Sequence, residues 1–319
     1  MRKIIIFAVT AVAVTSILGG CAKNSTAKNL ESEKSLETQA EKETQVEKKT
    51  QVEKETQIQK EIQIDFGHDY TDDVKSDVNK NSESGLTLQE ELENVNKITD
   101  KYTPLAEAAQ TQMEMDRSAG WLYSIWNTEL DILKNRVDDV TDAQVKEKIL
   151  AEQENWENMK EEMTLINLGA REEGGSIYPQ LEASFLEQIC KDRAYVLAAE
   201  LAGINDEAFN MPEASLKYGF FVDNEGTDSV CSSLLIRKGY DNDEAVVSVY
   251  RKGQIEGTFT DNGNGELEFT SSDGNIKGVI RNNGWNGAEF EITDSADESV
   301  FCAGEKVEFP LAISVTEES

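Results

Sequence analysis

Apolar positions change period along the chain. From residue 87 to about 203 they recur at spacings of three and four, the period of amphipathic helices. Thr87-Leu88-Gln89-Glu90 reads as a capping box, with Thr87 capping and Glu90 reaching back. Leu88, Leu92, Val95 and Tyr102 then line one face until Pro104, where the helix is expected to end. A longer helix is predicted over about 105–138 on Met115, Ala119, Leu122, Trp126, Leu130, Leu133 and Val137. Thr141 with Gln144 reads as a second capping box, opening a helix on Val145, Ile149, Trp156, Met159 and Met163. Gly174-Gly175-Ser176 is a loop, and Pro179 opens a fourth helix on Leu181, Phe185, Ile189, Val196 and Leu197 that closes at Gly203. Short connections between such helices predict antiparallel neighbours in a bundle, with Trp126 and Trp156 in its core.

From about Leu216 the period shortens to alternation. Ser233 to Ile236, Val246 to Tyr250, Ile255 to Phe259, Glu266 to Phe269, Ile276 to Ile280, Ala288 to Ile292 and Val307 to Phe309 read as strands. Turn clusters such as Arg251-Lys252-Gly253-Gln254 and Ser272-Asp273-Gly274-Asn275 separate them, which argues an antiparallel meander over 215–312. Asp261-Asn262-Gly263-Asn264-Gly265-Glu266 offers oxygens but fails the EF-hand spacing, so hairpin chemistry accounts for it without calcium. Asn283-Gly284-Trp285-Asn286-Gly287 puts Trp285 at a turn, either as a partner-contact residue or as a lid on the end of the β-domain.

The N-terminal pattern is of another kind. Arg2 and Lys3 precede an apolar run, Ile4 to Leu18, too short for a membrane span and suited to a signal peptide over 1–20. Leu18-Gly19-Gly20-Cys21 resembles a lipobox, so Cys21 is the expected lipidation site and the chain is expected on the outer face of the cell membrane, lipid-anchored. Thr38-Gln39, Thr44-Gln45, Thr50-Gln51 and Thr56-Gln57 then recur every six residues. That period turns the apolar positions about 120° per repeat on a helix, so no stripe forms, and residues 21–86 are read as a disordered spacer that includes His68. The expected fold class is therefore α+β multidomain: an antiparallel helical bundle over 87–203, then a small antiparallel β-barrel or sandwich, on that spacer.

Composition narrows the partners. The net charge is -31, from 62 acidic and 31 basic side chains, which excludes nucleic acid as a partner. Segments 105–203 and 204–319 carry net -11 and -15, so the acidity sits on the folded part and favours cationic partners. The sole histidine lies in the spacer, and no HExxH, CxxC, Walker or GxSxG pattern occurs. No catalytic, cofactor or metal residue is therefore assigned, and the chain is not expected to be an enzyme.

Thr111-Gln112-Met113-Glu114-Met115-Asp116, Trp126-Asn127-Thr128-Glu129-Leu130-Asp131, the trio Leu150, Gln153 and Trp156, the Gly174-Gly175-Ser176 loop and Arg193 with Leu197 occur in order. Together they resemble the LprI-type lysozyme-inhibitor N-terminal domain, a helical domain of exported bacterial lipoproteins, over about residues 105–202. Family members often carry a stapling cysteine where this chain has Ser118, and the usual Arg-Asp after the family tryptophan is Lys160-Glu161 here. The resemblance implies the fold and, beyond it, binding and inhibition of a cationic lysozyme-type wall hydrolase. The alternative is a non-enzymatic surface module for an unknown protein or glycan.

Once Cys21 is lipidated, Cys190, Cys231 and Cys302 remain. A meander that closes on itself brings Cys231 and Cys302 together as the candidate disulfide, with two buried thiols as the alternative. Closing that loop of about 70 residues would stabilise the fold by about 4 kcal/mol in the chain-entropy picture.

Overall fold

The computed structural model describes residues 64–223, 231–297 and 300–316. The expected signal peptide, Cys21 and the hexad repeats lie outside the described residues. The described part forms one compact unit in which a helical layer and a β-barrel share a seam. None of its helices is long and apolar enough to cross a membrane.

The first helix, α1 (Thr71–Ser82), falls where the sequence suggested spacer. Asp69 opens it, accepting from the backbone N–H (3.0 Å) and hydroxyl (2.7 Å) of Thr71 and from the indole of Trp121 (3.0 Å). Those donors, the Thr71 hydroxyl foremost, lower the Asp69 carboxyl to about 2. Tyr70, Val74 and Val78 are buried, with the Tyr70 ring edge-on to Trp121 at 5.0 Å. Full burial of such side chains is worth about 1.5–3 kcal/mol each, so residues 65–85 belong to the bundle and not to the spacer.

Helix α2 (Leu88–Ala108) begins at the expected Thr87–Glu90 capping box. It runs through Pro104 instead of ending there. Proline removes one backbone hydrogen bond, but Leu105 beyond it is 1% exposed and ties the last turn into the core. The next helix, α3 (Gln112–Val137), accordingly starts later than 105, at a capping box of Thr111 and Glu114. Helix α4 (Ala143–Leu168) is capped by Asp142, which accepts from the N–H groups of Gln144 and Val145, and not by Thr141. A carboxylate one residue later reaches the same orphan donors. Residues 171–177 form short helical turns where a loop was expected, and α5 (Tyr178–Ile204) follows with Pro179 in its first turn.

Contacts fix the helix directions. Asp77 of α1 accepts from Lys101 and Tyr102 of α2, and Glu91 of α2 meets Arg136 of α3, so these helices alternate. Gln112 and Gln180 lie 3.4 Å apart near the starts of α3 and α5, which therefore run parallel, with α4 returning between them. Trp126 and Trp156 are fully buried, as expected.

Nine antiparallel strands follow: β1 (Gly219–Val222), β2 (Ser233–Arg237), β3 (Glu244–Val249), β4 (Gly253–Asp261), β5 (Leu267–Ser271), β6 (Ile276–Asn282), β7 (Ala288–Ser295), β8 (Lys306–Phe309) and β9 (Leu311–Ser314). Their order is β8-β7-β6-β5-β4-β3-β2-β1-β9. The sequence pattern showed seven of them and missed β1 and β9. Those two roll the meander into a nearly closed barrel, because β8 and β9 are opposite edges of the sheet joined through Pro310 alone. Phe221, Phe259, Phe269, Phe290 and Phe309 fill the interior, and Phe301 packs with them. At Gly257 an added Cβ would lie 2.2 Å from the Thr270 carbonyl oxygen and 2.7 Å from the Phe269 ring, so glycine is what lets that ring cover the backbone.

The other face of β1 and β2 packs on the helices: Phe220, Val222, Leu235 and Ile313 of β9 join the helical core. Burial on both faces explains the unbroken apolar runs Phe220-Phe221-Val222 and Leu234-Leu235-Ile236. Asp192 of α5 fastens the end of the barrel. It is 1% exposed and accepts from the N–H groups of Val315 (2.7 Å) and Thr316 (3.2 Å) and from the Thr316 hydroxyl (2.6 Å).

Candidate partner-binding surface

The residues of the helical signature turn inward. Gln153 on α4 accepts a 2.7 Å hydrogen bond from Nε of Arg193 on α5, both buried, which ties the two helices together. Glu129 on α3 is fully buried beside a bidentate pair in which Arg136 donates to both oxygens of Glu91 at 2.7 Å each. As a carboxylate, neither oxygen of Glu129 has a partner; protonated, it donates to Glu91. Desolvation first and the neighbouring Glu91 second push its pKa well above the ordinary carboxylate value, against the pull of Arg136. These groups hold the bundle together and present nothing to a partner.

The cysteines are placed as follows. Cys190 is buried on α5, and burial pushes its thiol up to about 12 although the Lys160 ammonium pulls it down. Cys231 is buried among the helix-facing residues of the seam, its thiol raised by desolvation to about 11. Cys302 is exposed in the connection between β7 and β8. No disulfide is formed among the described residues. Cys231 faces the helical layer, whereas Phe301, next to Cys302, points into the barrel. Trp285 lies in a short helical turn after β6, half-buried against both cores, with its indole N–H donating 2.8 Å to the Pro212 carbonyl. It is a wedge in the seam and not a displayed ring.

What faces outward is acidic. On α4, Glu147, Glu154 and Glu161 are exposed and seven residues apart, so two turns of helix stack them along one face. None of the three makes an ion pair among the described residues, while Lys148 and Lys160 are taken by Glu152 (3.4 Å) and Glu157 (3.1 Å). A groove of about 710 Å³ lies at the end of α4, where Glu162 and Leu165 face Arg237, Glu244 and Glu256 of the barrel. A second groove of about 920 Å³ lies between Asn96, Lys191 and Tyr195 of the helices and Lys217 and Asp261 of the barrel side. The sequence reading did not single out the three glutamates, although their heptad spacing is a signal that could have found them. The two grooves were not legible there, since they arise only where the barrel meets the helices.

The β2–β3 hairpin stands at the first groove, which Arg237 and Glu244 at its base line, while Lys217, which pairs with Asp243 of the hairpin, lines the second. Arg237 and Glu244 pair across the strands at 3.2 Å. Asp243 accepts from Lys217 Nζ (2.6 Å) and from the Tyr218 hydroxyl (2.9 Å), and the Lys217 contact above all lowers its carboxyl pKa. No curated protein and no solved structure matches the chain. Residues 105–197 match the family model described as lysozyme inhibitor LprI, so α3 to α5, with Glu129, Gln153, Trp156 and Arg193 at their core, are the LprI-like part of this chain.

Proposed function

We propose that this protein is a lipid-anchored surface protein that binds and inhibits a cationic lysozyme-type wall hydrolase, acting by occupancy and not by turnover. The observation that carries the reading is the LprI match over helices whose outer α4 face holds three unpaired glutamates. An acidic helical face and a net charge of -31 draw a basic enzyme in and speed its association. Charge alone gives rate, while specificity needs shaped contacts, which the groove between α4 and the barrel offers. Lipidation at Cys21 would keep the inhibitor on the outer face of the membrane, beside the wall it protects.

The test is a titration of lysozyme activity with the purified chain at low and physiological ionic strength. Inhibition that saturates near one-to-one and survives physiological salt supports the proposal. An effect that vanishes at physiological salt, or that an unrelated protein of equal negative charge reproduces, leaves only nonspecific attraction and refutes it.

A further inference from the structure

The hairpin tip carries a feature that the acidic surface does not explain. Tyr240 is 101% exposed, whereas Tyr250, the other exposed tyrosine of the barrel, is 43% exposed. A singly exposed aromatic is ordinary on a protein surface. What sets Tyr240 apart is how firmly the loop beneath it is held. The Arg237–Glu244 pair closes the base, and Lys217 and Tyr218 hold Asp243. The Asp243 carbonyl also accepts from Phe259 N–H at 3.1 Å. The turn is tight as well: an added Cβ at Gly239 would sit 2.1 Å from the Asn242 carbonyl oxygen. A turn braced at its base holds one exposed phenol, so Tyr240 has less freedom to lose on binding than a ring on an unbraced loop.

We infer that the β2–β3 hairpin is the inserting element of this protein, with Tyr240 entering the saccharide cleft of the partner; the inference rests on the lysozyme-type reading above. A flat ring with one hydroxyl offers an apolar face and a single donor and acceptor, the combination that a sugar-binding subsite accepts. Charge complementarity names the partner. The groove at the hairpin base is lined by Glu162, Glu244 and Glu256 against Arg237 alone, which favours a basic protein as the occupant beside the tip. Tyrosine is also among the residues that dominate binding when buried at the centre of an interface.

The experiment uses the full chain, a basic c-type lysozyme and two variants, Tyr240→Ala and Tyr250→Ala. Tyr250 lies at the opposite end of the barrel, in the turn between β3 and β4. Inhibition constants and calorimetric affinities are measured with and without chitotriose, which occupies the lysozyme cleft. Tyr240→Ala should weaken inhibition at least tenfold with an unchanged thermal transition, Tyr250→Ala should match the parent protein, and chitotriose should compete with the parent. Inhibition by Tyr240→Ala equal to the parent, or an affinity that chitotriose does not reduce, overturns the insertion and leaves the lysozyme reading standing. A parent chain that does not bind lysozyme overturns both.

Discussion

Replacing Glu129 by Gln keeps the size of the side chain and removes its ionisable proton. In the native bundle this side chain is fully buried, with Glu91 and Arg136 as its charged surroundings. Its folded-state pKa is raised above the ordinary 4.5 by desolvation and then by Glu91. The native state therefore keeps a proton that the unfolded chain releases as pH climbs past 4.5. The contribution to stability is fully present below that value and is lost as pH rises toward the raised pKa, at up to about 1.4 kcal/mol per pH unit. Glutamine, which can donate its amide to Glu91 at any pH, escapes this loss. Urea midpoints followed by tryptophan fluorescence at pH 4, 5, 6 and 7 should show Glu129→Gln within about 1 kcal/mol of the parent at pH 4. It should be progressively more stable than the parent above that. Asp192, also raised by burial, is common to both proteins and cancels in the comparison. Identical pH profiles would refute the argument. So would a variant destabilised by about 3–5 kcal/mol at every pH, the result expected if Glu129 were the ionised partner of Arg136.

Asp192→Ala should cost about 2–5 kcal/mol, because it strips the acceptor from the buried backbone N–H of Val315 and from Thr316; chemical denaturation reads the loss. Deleting residues 22–63 should leave the melting temperature of the folded part nearly unchanged, whereas deleting 22–85 removes Tyr70, Val74 and Val78 from the core and should lower it by many degrees in calorimetry. Cys21→Ser should move the protein from the membrane fraction to the medium; a variant still found in the membrane fraction would contradict the lipid anchor.

The periods of three and four and of two located most helices and six strands because each of those elements buries one face, while β2, buried on both, showed as a short apolar run. The failures share a physical origin. The segment Thr71 to Ser82 has only Val74 and Val78 as apolar residues in twelve, and its opening comes from Asp69 and not from a capping box, so it read as polar linker. Pro104 normally ends a helix, yet the burial of Leu105 carries α2 past it. β1 is buried on both faces and has no alternation to see, and β9 follows a proline that reads as a stop. At the candidate surface, the acids of α4 stand seven residues apart but were not singled out, and Tyr240 reads as one more loop tyrosine. The exposure of its ring and the grip of Lys217 on its base depend on pairings made far along the chain.

The join at Pro310 also bears on self-association. A nine-stranded meander left open would offer two raw edges, each able to recruit a strand from a neighbouring copy and begin a chain of copies. Here the first edge, β8, is four residues long and carries Lys306 paired with Glu289 and Glu291. The second, β9, also has four residues, and the N–H groups just past its end, at Val315 and Thr316, are already spent on Asp192. Under the lipid anchoring proposed above, copies held side by side would meet often, and short, occupied edges of this kind would give those encounters little to polymerise on.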